Sequence, residues 1–503
     1  MAKVLGKLFL SIIIITATFQ PSIAKDSSYQ KITILHTNDS HGRVFGGLHE
    51  GLGFAKIATL AKQFKEENEN TLLLDAGDAL HGTTFATIDQ GESIIRVMDV
   101  VGYDGMTVGN HDFNYGRERL LELVQMANFP VISANLLYEI TKKPLLLPYI
   151  IKEMNGLKVG IFGLSTPETI YKTNAKNVEG VLFTDPVAAA EKSVKELKAN
   201  GVNAVIAISH LGTNPTSQHT SLKVAQEVSG IDLIVDGHSH SKGATMVEKT
   251  LIVSAGEYTK RLGVVELNFR SGKLMNKKAS YVIDSDAIIP DTKVTSVIQD
   301  ILKEQEKQLK TVIGKTNVVL VGDRERVRKG ETNLGNLIAD AMLEETGADI
   351  ALLNGGGIRA SIDQGDITKG DVITVLPFGN YIMTKVVSGK TVKEALENGV
   401  RAYPERSGAF PHVAGMTFAF DPSNPFGDRV DSVQVAGEPL ELDKEYIIAM
   451  SDFLASGGDQ YTMFTDIPVK NEFATLSEVL MNFIKKQGEV NPKQEKRVRI
   501  EKE

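Results

Sequence analysis

The sequence predicts an α/β protein of two domains joined by a helix, and three patterns carry that reading. From Lys31 to about Val282, short apolar runs alternate with amphipathic segments. From Asp291 to Thr311, apolar residues recur at near-helical spacing among many charges. From about Ile313 a second series of strand-like and helix-like segments begins. The chain has 503 residues, more than one core ordinarily organises, so two or three domains are the natural division.

In order, residues 1–24 read as a signal peptide. Lys3 and Lys7 form a basic start, Leu8 to Ala17 a mostly apolar stretch, and Ser22-Ile23-Ala24 a small-x-small cleavage site. The apolar stretch is too short for a stop-transfer helix. Residues 25–285 form the first domain. Its strand candidates are Ile32–Leu35, Thr71–Leu74, Val131–Ser133, Lys158–Phe162, Ala204–Ile208, Asp232–Val235 and Leu251–Ser254. Phe54–Glu67, Glu118–Ala127 and Pro186–Asn200 read as helices between them, the alternation of a layered α/β fold. Residues 286–313 are the linker helix, with Val294, Ile298, Ile301, Leu302 and Leu309 on its apolar side. Residues 314–503 form the second domain, opening with a strand over Thr316–Leu320 and a helix over Asn333–Thr346.

The formal charge is −8, and loss of residues 1–24 leaves 53 basic against 63 acidic side chains, or −10. That balance gives no sign of the basic face that binds nucleic-acid polymers. It is compatible with a small anionic substrate if bound cations supply local positive charge. There are no cysteines, so disulfides contribute nothing and no lipid is attached through an N-terminal Cys. We expect an exported protein without a membrane anchor, with the periplasm as its first destination and secretion to the medium as the alternative.

Most apolar runs of the first domain end in a polar cluster. Ile34-Leu35 leads into His36-Thr-Asn-Asp39-Ser-His41, and Leu72-Leu-Leu into Asp75-Ala-Gly-Asp78. Met106-Thr-Val leads into Gly109-Asn110-His111-Asp112, Ile206-Ala-Ile-Ser into His210, and Leu233-Ile-Val into Asp236-Gly-His238-Ser-His240. Any one of these alone reads as a turn, since Gly, Asn and Asp favour turns. Together they share one topological position, the carboxyl ends of strands, where open α/β sheets bind ligands. Oxygen and imidazole donors without thiolate suit Zn²⁺, Mn²⁺ or Co²⁺.

The series Asp-x-His, Gly-Asp, Gly-Asn-His-Asp, His and Gly-His-x-His resembles the calcineurin-like metallophosphoesterases. The opening Leu35-His-Thr-Asn-Asp39-x-His41-Gly42 resembles their 5'-nucleotidase branch. The resemblance implies a four-layer α/β sandwich and two divalent ions. Asp39, His41 and His240 would hold one ion, Asn110, His210 and His238 the other, and Asp78 would bridge them. The branch often carries Gln or Asn at the place of His240. His111 resembles the catalytic histidine of the family. His36, His49, His81, His219 and His412 have no place in the pattern and read as structural or surface residues.

The second domain extends the resemblance. Asn354-Gly-Gly-Gly-Ile-Arg359 matches the family's C-terminal domain, where Asn and Arg meet nucleoside and phosphate. Arg328 falls where the family has another phosphate-binding Arg, and the fork of Arg suits two phosphate oxygens. Leu376-Pro-Phe378-Gly379 and Asp452-Phe453-Leu-Ala-Ser-Gly457-Gly458-Asp459 match motifs whose aromatics clamp a base, with Asp459 on the ribose. A stacked base is worth roughly 1–3 kcal/mol. The implied activity is release of phosphate from nucleoside monophosphates by a hydroxide shared between the metals. Rotation of the second domain between open and closed forms is also implied.

One position departs from the branch. Three residues after the catalytic histidine stands Asn114, where typical 5'-nucleotidases carry Asp. The form His111-Asp-Phe-Asn114-Tyr-Gly116 resembles the branch that opens 2',3'-cyclic nucleotides and then cleaves the 3'-phosphate. That activity is therefore the alternative, followed by UDP-sugar pyrophosphatase and, outside catalysis, a nucleotide-binding module.

Overall fold

A computed structural model describes residues 29–47, 51–173, 175–215 and 217–501. The expected signal peptide over 1–24 and His49 lie outside them. Among the described residues no helix is long and apolar enough to cross a membrane.

The first domain is built on two sheets. Tyr29–Thr37, Thr71–Asp75 and Gly105–Met106 run parallel, and Arg261–Arg270 and Lys273–Ile283 add antiparallel strands to complete a five-stranded sheet. In the six-stranded sheet, Leu157–Ser165, Ala204–His210, Leu233–Asp236 and Thr250–Ala255 run parallel at the centre. Tyr149–Met154 and Lys242–Val247 are its antiparallel edges.

Strand periodicity assigns the layers. Ile32, Ile34, Leu72 and Leu74 of one sheet meet Ile161, Ile206, Ile208 and Val235 of the other in a shared core. The intervening Leu35 and Leu73 point the opposite way, under the helices Gly53–Glu67, Glu92–Val101 and Arg117–Met126. Val205, Ala207 and Ile234 likewise pack under Pro186–Ala199 and Ser221–Glu227. Alternate side chains leave a strand on opposite faces, so the central strands of each sheet are buried on both faces. This explains why the strands read as unbroken apolar runs. The result is helix, sheet, sheet, helix: the four-layer sandwich.

The helix Thr292–Leu309 follows, with the Asp291 carboxylate accepting from the Val294 N–H as its N-cap. Val294, Ile298 and Ile301 are buried in the same core as the first-domain helices. Gln305 is buried too, and its side-chain amide donates to the Phe85 carbonyl at 2.8 Å. The linker helix is thus packed into the body of the first domain along most of its length.

The second domain has a five-stranded mixed sheet in the order Pro411–Ala414, Ile350–Asn354, Glu445–Ser451, Tyr381–Ser388, Val469–Thr475. Helices Asn333–Thr346, Lys369–Val375 and Leu476–Gln487 cover one face. Helix Gly389–Val400 and a four-stranded sheet cover the other.

Two expected strands are different in the structure. The strand at the domain start is Val312–Thr316, not Thr316–Leu320. Past Thr316 the chain leaves the ladder: the Thr316 hydroxyl donates to the Val318 carbonyl, and the Asn333 side chain takes the Val321 N–H and the Val319 carbonyl. Side-chain bonds of this kind compete with a sheet for backbone groups. Val131–Ser133 makes only isolated bridges, to Met106 and Leu147.

Ile301→Ala should lower stability by about 3 kcal/mol, the ordinary cost of emptying a closed aliphatic site. Chemical denaturation monitored by circular dichroism checks this; a loss below about 1 kcal/mol would show that the linker helix is not docked as described.

Candidate metal centre

Four strand ends and the turn after Gly105–Met106 converge on one cavity of about 180 Å³. Its lining includes His41, Asp78, Asn110, His111, His238 and His240. The donor atoms of Asp39, His41 and His240 all lie within 4.8 Å of one another, as do those of Asp39, Asp78 and His210. His41 Nε2 is 3.0 Å from His240 Nε2, and His210 Nε2 is 3.1 Å from Asp78 Oδ2. All seven residues expected to hold metal are therefore at one place.

The donor set fits divalent ions. His210 Nε2 and Asn110 Oδ1 are buried and lack a hydrogen-bond partner, a costly condition for polar atoms that do not meet a cation. His210 is also preset: its Nδ1 donates to the Ala76 carbonyl at 2.6 Å, which turns Nε2 toward Asp78. His238 Nε2 is held 3.1 Å from Glu168 Oε2, so its Nδ1 is the nitrogen left for a metal. Burial acts against a charged His210 ring, but the Asp78 and Asp39 carboxylates outweigh it and raise the pKa to about 10. Burial likewise disfavours an ionised Asp78, yet His210, His111 and His41 hold it well below the usual carboxylate range.

Asp112 fixes the loops that carry these donors. Its Oδ1 accepts from the N–H groups of Ala79 and Leu80, and its Oδ2 from those of Asp78 and Gly109, at 2.8–3.0 Å. The backbone around the cavity is unusual in a second way. Asp39 (φ 50°), His41 (47°), Asp78 (57°), His238 (74°) and His240 (51°) are all left-handed. Non-glycine residues adopt that region at a cost, and they gather at functional sites. Gly109 permits the close approach, since a Cβ there would lie 2.2 Å from Asp78 Oδ1 and 2.6 Å from His210 Nε2.

His111 stands beside the donors, its backbone N–H donating to Asp78 Oδ1 at 2.8 Å. Asn114 Nδ2 lies 3.2 Å from His111 Nδ1 and 3.1 Å from His81 Nδ1. The Thr173 hydroxyl donates to Asn114 Oδ1 at 2.8 Å, which turns the amide nitrogen toward both rings. So His81, read from the sequence as structural or surface, belongs to the site. It is fully buried, and its Nε2 is 2.7 Å from Glu478 Oε2 of the second domain. His36 and His412 do fit that reading: both are buried, and burial lowers their pKa to about 3 and about 4.

Nothing in the sequence pointed to Glu168, Lys172, Tyr381 or Glu472 at this cavity, or to Glu478 beside His81. The Tyr381 hydroxyl is 3.1 Å from His41 Nδ1 and 3.2 Å from His81 Nδ1. Glu478 also closes a capping box with Thr475 at the start of helix Leu476–Gln487. The others meet the site through long-range contacts that no local pattern encodes.

The six residues expected to bind substrate gather elsewhere on the second domain. Asn354 Nδ2 donates to Asp459 Oδ2 at 2.8 Å, and the Arg359 guanidinium sits 5.4 Å from the Phe378 ring centre. Burial first, then the nearby Arg324 and Arg359 guanidinium groups, lower the pKa of Arg328, with Asp459 opposing them. Phe378 and Phe453 are 54% and 42% exposed, as rings awaiting a partner are. None of these six lines the metal cavity, whose second-domain wall is Tyr381, Met383, Asp452 and Glu472.

Two outcomes follow from this geometry. Gly109→Ala should cut bound metal to about a tenth or less while leaving the circular dichroism unchanged, as measured by elemental analysis. Wild-type metal content in that variant would refute the packing argument. Because the Asp78 and Asp39 carboxylates favour a protonated His210 ring, a proton competes with a cation there, and Mn²⁺ affinity should rise with pH. Equal affinity at acidic and alkaline pH in calorimetric titration would contradict it.

Both halves of the chain resemble known proteins. Residues 32–242 match the calcineurin-like phosphoesterase family, and residues 312–466 match the 5'-nucleotidase C-terminal domain. The chain is 32% identical to a 5'-nucleotidase of Vibrio cholerae, covering 91% of each. It is 34% identical to the trifunctional nucleotide phosphoesterase YfkN of Bacillus subtilis, over 95% of this chain but only 35% of that longer protein. Among solved structures, a 5'-nucleotidase precursor from Thermus thermophilus is 33% identical with a TM-score of 0.55, covering 94% of this chain and all of that one. The NAD nucleotidase of Haemophilus influenzae, 24% identical over 94% of this chain and 99% of that one, shares the fold with a TM-score of 0.77. With both domains matched in order and nearly the whole chain covered, the protein belongs to the 5'-nucleotidase family of calcineurin-like phosphoesterases and is a phosphoric monoester hydrolase.

Proposed function

We propose that this hydrolase is exported to the periplasm and releases phosphate from nucleoside 5'-monophosphates. The observation that carries the reading is the gathering of His41, Asp78, Asn110, His238 and His240 around one cavity beside His111, with the donor atoms of Asp39 and His210 within 4.8 Å of that of Asp78. Asp39, His41 and His240 would hold one divalent ion (Zn²⁺, Mn²⁺ or Co²⁺), Asn110, His210 and His238 the other, with Asp78 between them. Such a pair, when bound, lowers the pKa of water and neutralises charge on phosphoryl oxygens.

The chain's own residues do the rest. With Nδ1 accepting from Asn114, His111 presents an Nε2–H to the cavity. That group donates to a phosphoryl oxygen or to the leaving oxygen as charge develops there. Asn114 orients the ring but, unlike a carboxylate, does not favour its charged form. Arg328 and Arg359 would take the phosphate, Phe378 and Phe453 the base, and Asp459 with Asn354 the ribose. These groups stand outside the metal cavity in this arrangement, so turnover requires the second domain to turn and carry the substrate to it.

Asn114 also supports a second reading, a 2',3'-cyclic-nucleotide phosphodiesterase with 3'-nucleotidase activity. The deciding assay offers AMP, 3'-AMP, 2',3'-cyclic AMP and UDP-glucose with Mn²⁺, and EDTA as control. The fastest turnover is expected on AMP; preference for the cyclic substrate would replace the first reading with the second. His111→Ala should lower kcat about a hundredfold or more at unchanged metal content. A loss below about threefold would remove His111 from the mechanism.

A further inference from the structure

An internal carboxylate lies against the catalytic groups. Glu472, on the edge strand Val469–Thr475 of the second domain, lines the metal cavity of the first. Its Oε1 accepts from Lys172 Nζ at 2.8 Å, and its Oε2 stands 3.4 Å from His111 Nε2. The contact is largely dry: the Glu472 side chain is 7% exposed and that of Lys172 22%. Lys172 belongs to the rim of the donor cluster, because its carbonyl faces Asn110 Nδ2 at 3.4 Å and its side chain lines the cavity beside Asn110, His111 and His238.

One ammonium and one imidazole N–H converging on two oxygens of one anion is how a phosphoryl group is gripped. We propose that Lys172 is a phosphoryl-binding residue of this cavity, and that Glu472 sits on it as a built-in competitor until a phosphate monoester displaces it. The proposal rests on the phosphoesterase reading and adds a binding residue and an intramolecular inhibitor to it. Displacement is favoured by charge, since a phosphate carries nearly twice the charge of a carboxylate and a third acceptor oxygen. It is opposed by tethering, which keeps Glu472 at high local concentration. Substrate binding and departure of the second domain's edge strand from the cavity are then one event.

The test measures binding of inorganic phosphate to the Mn²⁺-loaded full chain by calorimetry, with metal content determined for every variant. Lys172→Met should weaken phosphate binding about tenfold or more, as loss of one charged hydrogen bond does. Lys172→Arg should retain most of it. Glu472→Gln should tighten it by several-fold, and Lys172→Met should still weaken it in the Glu472→Gln background. Lys172→Met binding phosphate like the wild type, or Glu472→Gln binding no tighter, overturns the proposal. So does loss of the Lys172→Met effect in the double variant, which would reduce Lys172 to a partner of Glu472. Nucleotide turnover by the wild type is scored separately: if it is present while phosphate affinity ignores Lys172, only this inference fails, and if it is absent, the phosphoesterase reading itself fails.

Discussion

The turn after Thr71–Asp75 and the turn after Gly105–Met106 are tied together by a single buried carboxylate. Asp112 accepts backbone N–H groups from Asp78, Ala79 and Leu80 of one turn and from Gly109 of the other. Hydrogen bonds to a charged acceptor are about twice as strong as neutral ones, and here they are shielded from water. The tie sets the spacing between Asp78 and Asn110, and it holds the chain bearing His111. Every other relation at the cavity is measured from these loops: the approach of His210 to Asp78, the amide of Asn114 against His111, and the reach of the second domain to both.

The two sets of functional groups differ in how they are held. The donors sit on strand ends whose strands are buried on both faces, between two sheets and two layers of helices. The linker helix is packed into that same body, so it extends the frame of the donors rather than hanging between domains. The arginines and phenylalanines proposed for substrate lie on turns and on the short helix Asp452–Ala455 of the second domain, with exposed rings. Rigid placement suits groups that must match an ion within tenths of an ångström. Exposed placement on turns suits groups that must receive a molecule from solvent.

How far the sequence could be read depends on the range of the interactions. The layers were legible because burial on both faces leaves continuous apolar runs, as at Leu72–Leu74 and Ala204–Ile208. The donors were legible because each follows its strand directly. Thr316–Leu320 misled because a hydroxyl and an asparagine amide claim backbone groups that a strand needs, and such claims are invisible until Asn333 is folded against them. His81 was unreadable for a related reason. Its partners Asn114, Tyr381 and Glu478 lie on three separate elements, two of them in the other domain. Glu478 performs two tasks with one side chain, capping helix Leu476–Gln487 and meeting His81.

The left-handed backbone at Asp39, His41, Asp78, His238 and His240 has a consequence for how long the protein lasts. Each such residue costs on the order of 1 kcal/mol relative to ordinary conformations. Glycine would relieve the cost, but it carries no donor atom. Ions held by these side chains would return what the backbone gives up, because anything that binds only the folded chain stabilises it. On the proposed ligand set, occupancy and durability would be linked: where the ions are scarce, the chain would be left both idle and easier to unfold and digest.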